Sequence, residues 1–330
     1  MVKSTLKILV LVLSTLFLFS CQTSELHQTQ VTTETKVSSK EIAYAKKFKT
    51  IHGKRMAYIE EGTGDPIVFL HGNPTSSYLW RDVMPHLEGQ GRLIAPDLIG
   101  MGDSEKLDNS GPDSYSFIEH RKYLFALLDE LNLDENVTLV IHDWGSGLGF
   151  DWARQNAEAV KGIVFMEAFV APFPSWDAFI PKGNKGQDLF KALRSKDGEK
   201  MILQDNMFVE KLLLGGPNLS DKDREVFRRP YLEPGESRRP TLTWPRQIPI
   251  NGKPIEVSNI VAAYSAWLGN SNVPKLFVNV EPGAILTGDM RKLVRSWPNL
   301  TETTVPGNHF VPQESPHKIG RAISDWYSKL

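Results

Sequence analysis

The stretch VTLVIHDWGSGLGFDWA, residues 137–153, leads from an apolar strand-like run through a turn of small residues into a helix-like run. A nucleophile elbow has this order, but it carries serine at its corner in G-x-S-x-G. Asp143 stands at the corner here. A carboxylate is already ionised at neutral pH, since its reference pKa is about 3.9, and it attacks a saturated carbon without help from a base. The residue type therefore indicates carbon–halogen or epoxide substrates rather than amides or esters.

The elbow departs from the usual pattern at one further position. Ile141 stands two residues before Asp143, where a small residue is usual, whereas Gly145 keeps the small residue two positions after it. We therefore expect crowding at this corner, which the packing around it must relieve.

A histidine suited to the second half of such a reaction lies late in the chain. His309 follows a short strand-like run in the setting GNHF. The order nucleophile, acid, histidine is the chain order of α/β-hydrolase triads. We expect His309 to activate the water that hydrolyses an alkyl ester formed on Asp143.

The leaving group also needs stabilisation, and two side chains are candidates for it. A halide leaves as a weakly basic anion that needs only N–H donors, whereas an epoxide oxygen needs a proton donor, typically a tyrosine. Trp144 offers an indole N–H and Asn73 an amide NH₂. The two donors would form a cradle for a halide beside the nucleophile. Their backbone N–H groups could form an oxyanion hole for the second step.

The acid partner of His309 has two candidates in the sequence. Glu281 follows the apolar run at 274–280 and is itself followed by a Pro-Gly turn. Glu167 lies in FMEAF, at the end of the preceding run. Spacing alone does not separate them.

The elements that must position these residues alternate between short apolar runs and amphipathic helical stretches, which is the pattern of an α/β fold with a mostly parallel sheet and helices on both faces. Near-continuous apolar character predicts strands at 66–72, 92–98, 137–143, 162–168, 274–280 and 301–307. Helices are predicted at 115–133, 146–157 and 316–329. In open sheets of this kind ligands bind outside the carboxyl ends of the strands. His71, Asn73, Asp97, Asp143, Glu167, Glu281 and His309 fall at such ends.

This alternation stops between about 170 and 250, in a region rich in Pro, Trp and Phe with helix-like pieces such as QDLFKALRS. A set of loops would expose too many of its apolar residues. We therefore predict a helical cap at 170–249, inserted into a hydrolase core at 45–169 and 250–330.

The N-terminus has a different character. Lys3 and Lys7 precede the apolar run ILVLVLSTLFLF, and Ser20-Cys21 follows. This order indicates a secretory signal, and the run is short for a membrane-spanning helix. LFSC is similar to a bacterial lipobox, which predicts a lipoprotein signal peptide at 1–21 and lipidation of Cys21. Residues 22–44 are polar, which predicts a tether between the anchor and the folded part. The lipoprotein signal predicts a location in the periplasm, with the lipid anchor as the membrane contact.

Composition excludes several other classes. The chain has 330 residues, 41% of them hydrophobic, and a formal net charge of -1. It can bury a large core, and nothing in its charge suggests a nucleic-acid partner. It contains one cysteine and no HExxH motif, so we expect no internal disulfide, no metal and no cofactor.

Over residues 45–330 the chain resembles the haloalkane dehalogenases. The similar motifs include HGNPTSSYLWR, DLIGMGDS, HDWGSGLGFDWA, MEAF, LQDNMFVE, RRPTLTWPRQIPI, KLFVNVEPGA and GNHF. The resemblance implies an α/β-hydrolase in which Asp143 is the nucleophile, His309 the base, Glu167 the acid, and Asn73 with Trp144 the halide ligands. It further implies a substrate pocket lined by Phe190, Phe208, Leu212, Trp244, Pro245, Ile248, Ile285 and Phe310. The reaction would take a halogenated alkane and water to an alcohol, a halide and a proton.

Two alternatives stay open on sequence alone. Coelenterazine-using luciferases resemble the same subfamily and keep the same five residue types, although Pro74 favours the dehalogenases. An epoxide hydrolase would use the same nucleophile. The first 44 residues also depart from these dehalogenases, which are generally soluble and lack a lipobox.

Overall fold

A computed structural model describes residues 44–216 and 219–330 of the chain. Its centre is an eight-stranded sheet in the order β1-β2-β4-β3-β5-β6-β7-β8. β1 pairs with β2, and β2 with β4, in antiparallel orientation, and the remaining neighbours are parallel. The strands are β1 Lys46–Ile51, β2 Lys54–Glu61, β3 Pro66–Leu70, β4 Arg92–Pro96, β5 Val137–Asp143, β6 Val160–Ala168, β7 Lys275–Pro282 and β8 Leu300–Gly307.

The six predicted strands are present with ends within two residues of the prediction, and the predicted α/β architecture with a mostly parallel sheet is confirmed. The sequence reading missed β1 and β2. These two strands lie at one edge of the sheet. Three of the six residues of β1 are lysines, so it lacks the continuous apolar run of a central parallel strand.

Helices cover both faces of the sheet. Successive residues of β5 point to opposite faces, so Leu139 and Ile141 pack in one apolar cluster and Val140 in the other. The α-helices are α1 Phe117–Glu130, α2 Trp144–Gln155, α3 Trp176–Phe179, α4 Lys185–Leu193, α5 Asp197–Glu199, α6 Asp221–Arg228, α7 Arg239–Gln247, α8 Ile255–Asn270, α9 Gly288–Arg295, α10 Val311–Glu314 and α11 Pro316–Tyr327. Short 3₁₀-helices span Ser77–Trp80, Met84–Leu87, Ala157–Ala159, Arg229–Tyr231 and Glu236–Arg238, and π-helical turns span Lys200–Gln204 and Phe208–Leu213. Helices α8, α9 and α10 were not predicted.

The described part of the interval 170–249 is helical, with α3 to α7 and both π-helical turns. Its two ends lie side by side, because Phe173 forms a parallel bridge with Ile250 and its N–H donates to the Pro249 carbonyl at 2.9 Å. The chain thus leaves and re-enters the sheet layer at one place, which is the geometry of an insertion.

The predicted signal peptide, Cys21 and all of the predicted tether except Tyr44 lie outside the described residues. Within 44–216 and 219–330 we find no helix that is both long and apolar enough to cross a membrane.

Candidate active site

The corner between β5 and α2 places Asp143 in a backbone conformation that is rare for a residue with a side chain, at φ 50° and ψ −130°. Close approach of the neighbouring strand end makes this corner possible. A Cβ on Gly72 would overlap Asp143 Oδ1 and lie 2.6 Å from Trp144 N, and one on Gly145 would lie 2.6 Å from the His71 carbonyl oxygen. Glycine at both positions therefore lets the β3 loop lie directly against the elbow.

The expected crowding at Ile141 is relieved one turn into α2. A Cβ on Gly149 would lie 2.8 Å from Ile141 Cγ2, closer than real Cβ contacts. The branched side chain thus occupies the space that a side chain at position 149 would need. The larger side chain at position 141 of β5 is therefore accommodated by a glycine at position 149 of α2.

The Asp143 carboxylate is held by backbone donors. Its Oδ1 accepts the Asn73 N–H at 2.6 Å, and the Trp144 N–H also donates to it. Ser146 fixes the corner itself, because its hydroxyl donates to the Asp143 carbonyl and accepts the Phe169 N–H at 3.0 Å. The two N–H groups expected to form an oxyanion hole therefore both donate to this carboxylate.

His309 lies between two carboxylates. Its Nε2 is 3.2 Å from Asp143 Oδ2 and its Nδ1 is 3.4 Å from Glu167 Oε2. Burial by itself lowers the pKa of His309, but the hydrogen bonds and charges of the two carboxylates outweigh it and raise that pKa to about 10. Burial correspondingly raises the pKa of Asp143 and Glu167, and their contacts with His309 hold both below the ordinary value.

A bulge in β6 directs Glu167 toward His309. His142 pairs with Met166 and Asp143 with Ala168, so Glu167 is the extra residue, and its φ is 44°. Bulges of this kind turn a side chain out of the regular alternation. The loop after β7 then receives the carboxylate, because Oε2 accepts the N–H groups of Ala284 at 3.0 Å and Ile285 at 2.8 Å.

Glu281, the other candidate acid, turns away from the site. Its side chain is 52% exposed and lies 2.7 Å from Nη1 of Arg291. The geometry therefore separates two carboxylates that spacing left equivalent, and it brings Glu167 to His309.

The two side-chain donors face the same cavity as Asp143. The Asn73 amide lies 3.4 Å from the Thr241 carbonyl through Nδ2, which uses one of its two N–H groups. The Trp144 indole packs against two other rings, that of Trp244 with centroids 4.6 Å apart and that of Phe169 at 4.5 Å. Both donors are thereby held in place beside the nucleophile.

The cavity has a volume of about 410 Å³ and is largely apolar. Seven of the eight residues expected to line it do so: Phe190, Phe208, Leu212, Pro245, Ile248, Ile285 and Phe310. Trp244 does not, and this expectation is wrong. Trp244 is fully buried behind Trp144 and stacks on His120 at 4.2 Å.

Sequence reasoning also missed part of the lining. Phe169, Phe179, Ile180, Lys211, Gly215, Gly216, Ala284, Asn308 and Glu314 complete it. Phe169 lies two residues after Glu167, and Asn308 directly precedes His309, so proximity in sequence was an available signal. Lys211, Gly215 and Gly216 lie on or just after the second π-helical turn. Simple periodicity does not indicate which residues of such a turn face the cavity.

The other polar strand ends have structural partners. Asp97 is buried, forms an ion pair with Lys46 at 2.6 Å, and accepts the Ser77 N–H at 2.8 Å. His71 accepts the Leu98 N–H at 3.0 Å, and burial lowers its pKa to about 4. Among the described residues, no group of three or more His, Cys, Asp or Glu side chains is arranged to hold a metal ion.

The strand order, the elbow at the end of β5, the histidine after the last strand and the helical insertion define an α/β-hydrolase. The family model of the alpha/beta hydrolase fold matches residues 65–316, most of the chain.

Within that class the chain belongs to the haloalkane dehalogenases. It is 57% identical to a haloalkane dehalogenase of Sphingobium indicum over 288 residues, which cover 86% of this chain and 96% of that relative. A haloalkane dehalogenase of Mycolicibacterium smegmatis is 51% identical over 86% of this chain and 91% of its own length. A crystal structure of the Bradyrhizobium elkani haloalkane dehalogenase superposes with a TM-score of 0.82 at 36% identity, covering 87% of this chain and 98% of that one.

Proposed function

We propose that this enzyme hydrolyses halogenated alkanes to an alcohol, a halide and a proton in two chemical steps at Asp143. One observation carries the mechanism: an ionised carboxylate lies at the elbow, in an apolar cavity, beside the side-chain donors of Asn73 and Trp144. The family relationship supports the substrate class, since the relatives that match over most of the chain are haloalkane dehalogenases.

In the first step Asp143 displaces the halide. Its Oδ1 is engaged by the Asn73 N–H, so Oδ2 is the oxygen that attacks the carbon bearing the halogen. A carbon–oxygen bond forms as the carbon–halogen bond breaks, and the halide leaves with the bonding electrons toward the Asn73 amide and the Trp144 indole N–H. Donors fixed in advance stabilise this developing charge with little reorganisation.

The ester changes the role of His309. In the free enzyme two carboxylates raise its pKa to about 10, so it holds a proton at neutral pH. Alkylation removes the charge of Asp143 and with it one of these two influences, so the pKa of His309 falls and the imidazole can give up its proton. The base required for the second step therefore becomes available once the first step is complete.

In the second step His309 takes a proton from water, and the resulting hydroxide attacks the carbonyl carbon of the Asp143 ester. The N–H groups of Asn73 and Trp144 receive the negative charge on Oδ1, and Glu167 stabilises the imidazolium. The bond between the carbonyl carbon and the alkoxide oxygen breaks, and the alkoxide leaves with the proton from His309. The acid that remains on Asp143 ionises and restores the starting state.

The epoxide alternative lacks its proton donor. No tyrosine is among the described residues that line the cavity, and the cap residue Tyr231 is fully buried away from it. A halide needs only the two N–H donors that are in place. The luciferase alternative is not favoured, because the two relatives and the one solved structure cited above are haloalkane dehalogenases.

The direct test measures bromide release and acidification with 1-bromobutane and 1,2-dibromoethane. We expect stoichiometric alcohol, bromide and proton from the native protein and none from folded Asp143→Asn protein. Folded native protein that releases no bromide from either compound would refute the proposal. Oxygen-dependent light emission with coelenterazine, without bromide release, would replace it with the luciferase alternative.

We also propose that Cys21 carries a lipid that anchors the enzyme to the bacterial membrane on its periplasmic side. Support comes from the sequence of residues 1–21, namely the basic start, the apolar run and the final Ser-Cys pair. Radiolabelled palmitate should enter the native protein and be absent from Cys21→Ala protein. A Cys21→Ala protein that stays in the membrane fraction as firmly as the native one would contradict the anchor.

A further inference from the structure

The residue before the nucleophile makes a contact that the mechanism above does not use. His142 is the buried second-to-last residue of β5, and its Nε2 lies 2.6 Å from the main-chain carbonyl oxygen of His309. A carbonyl oxygen only accepts, so Nε2 of His142 carries the proton and donates it. The two imidazole rings also pack together, with centroids 4.9 Å apart at 36°.

This contact acts on a short segment. β8 ends at Gly307 and α10 begins at Val311, so His309 is the middle residue of a three-residue connection. The segment is held before and after His309: Glu314 Oε2 accepts the Asn308 N–H at 2.8 Å, and the Phe310 carbonyl accepts the Gln313 N–H at 2.9 Å. The bond from His142 holds His309 itself, and it joins the base to the strand that carries the nucleophile.

The charge state of His142 suits this task. Burial first, and then the nearby charge of His309, lower its pKa to about 4. Its Nδ1 is buried and has no hydrogen-bond partner among the described residues, as expected for the unprotonated nitrogen of a neutral ring. A neutral ring beside His309 donates one hydrogen bond without repelling the proton that His309 carries during the reaction.

We propose that His142 is a positioning residue for the hydrolytic step. By holding the backbone of His309, it sets the distance between the His309 imidazole and the ester carbon on Asp143, between which the attacking water must fit. Proton transfer through one water requires this spacing, and a displacement of about 1 Å can cost about 100-fold in rate. The inference rests on the proposed function, because it assigns a role in the second step of that reaction.

The first step should not depend on this contact. The carboxylate of Asp143 is oriented by the N–H groups of Asn73 and Trp144, and the halide donors lie on the same two residues. Loss of the His142 bond should therefore slow hydrolysis of the ester while bromide release in the first turnover continues. A general loosening of the elbow would slow both steps.

The test compares His142→Gln with His142→Met, two unbranched side chains of similar size of which Gln alone can donate to the carbonyl. Rapid mixing with 1-bromobutane measures the bromide burst, and mass spectrometry of quenched samples measures the butyl ester. We expect similar bursts in both variants, with ester hydrolysis slowed up to about 100-fold in His142→Met and far less in His142→Gln. Equal hydrolysis rates in the two variants, or a burst slowed as much as hydrolysis, would overturn the inference.

A measurement on the native protein keeps the inference testable if His142→Met does not fold. Nitrogen-15 NMR of labelled histidine should show His142 as a neutral ring protonated at Nε2 at pH 7. A ring protonated at Nδ1, or a charged one, would also overturn it. Native protein that releases no bromide at all would instead refute the proposed function, so the two failures are distinguishable.

Discussion

His309 Nε2 lies 3.2 Å from Asp143 Oδ2, so the proposed base and the proposed nucleophile form an ion pair in the free enzyme. This relationship orders the reaction. While Asp143 is charged it keeps His309 protonated, and once Asp143 is alkylated that influence ends. The nucleophile thus controls when its partner becomes a base.

His309→Ala should trap the intermediate. The attack by Asp143 needs no base, whereas hydrolysis of the ester does, so the variant should gain the mass of one butyl group per chain on treatment with 1-bromobutane. Native protein should show no lasting gain. His317→Ala, which removes an exposed histidine of α11, serves as the control and should turn over normally. Absence of the adduct in folded His309→Ala would contradict the division of roles.

The two carboxylates near β7 should respond differently to the same substitution. Glu167→Gln removes the charge that stabilises the His309 imidazolium, and we expect turnover to fall by about 10²- to 10⁴-fold. Glu281→Gln removes an exposed ion pair with Arg291, which should change stability by less than about 1 kcal/mol and leave turnover nearly unchanged. Steady-state bromide release measures both variants. A larger loss in Glu281→Gln would reverse the assignment of the acid.

Trp144→Phe should separate the indole donor from its packing. The phenyl ring can still pack against Trp244 and Phe169, but the N–H is gone, so the bromide burst should slow by about 10²- to 10³-fold. Trp244→Phe is the matched control, since it shortens a ring behind Trp144 and removes no donor from the cavity. Similar losses in the two variants would mean that stacking, rather than donation, is what Trp144 contributes.

Gly72→Ala should disturb the elbow through one methyl group. Its Cβ would overlap Asp143 Oδ1, so the β3 loop must shift, at a cost of about 1–3 kcal/mol in stability and up to about 100-fold in turnover. Gly111→Ala is the control, because a Cβ there meets nothing within 4 Å. Urea unfolding and bromide release follow the two effects. Native-like turnover in Gly72→Ala would show that the close approach of the loop is dispensable.

The ion pair should also make stability depend on pH. The pKa of His309 is raised in the folded protein, so its contribution is fully present below its unfolded value of about 6.5 and is lost as pH rises through about 10. The free energy of unfolding in urea should therefore decline over this window in the native protein. In Asp143→Asn, where one carboxylate no longer raises that pKa, the decline should be smaller and should end at a lower pH. Parallel curves for the two proteins would contradict the coupling.

Several properties follow from the sequence alone, because they depend on residue type and local pattern. Five of the six predicted strands, β3 to β7, are near-continuous apolar runs, because these inner strands are covered on both faces. The aspartate at the elbow indicates attack on alkyl carbon, because an ionised carboxylate needs no base. The donors of Asn73 and Trp144 and the late His309 follow from strand ends that must meet at one edge of the sheet.

The tertiary structure decided the directions in which side chains point, which their positions in the sequence do not show. Glu167 reaches His309 because of a bulge in β6, and Glu281 turns to Arg291, although both follow apolar strands. Trp244 belongs to a helix near the site, yet its ring lies behind Trp144 and not in the cavity. The bond from His142 to the His309 carbonyl joins two distant segments that no local pattern relates. Side-chain direction at bulges, loops and helix faces is set by packing between segments, so a one-dimensional pattern does not contain it.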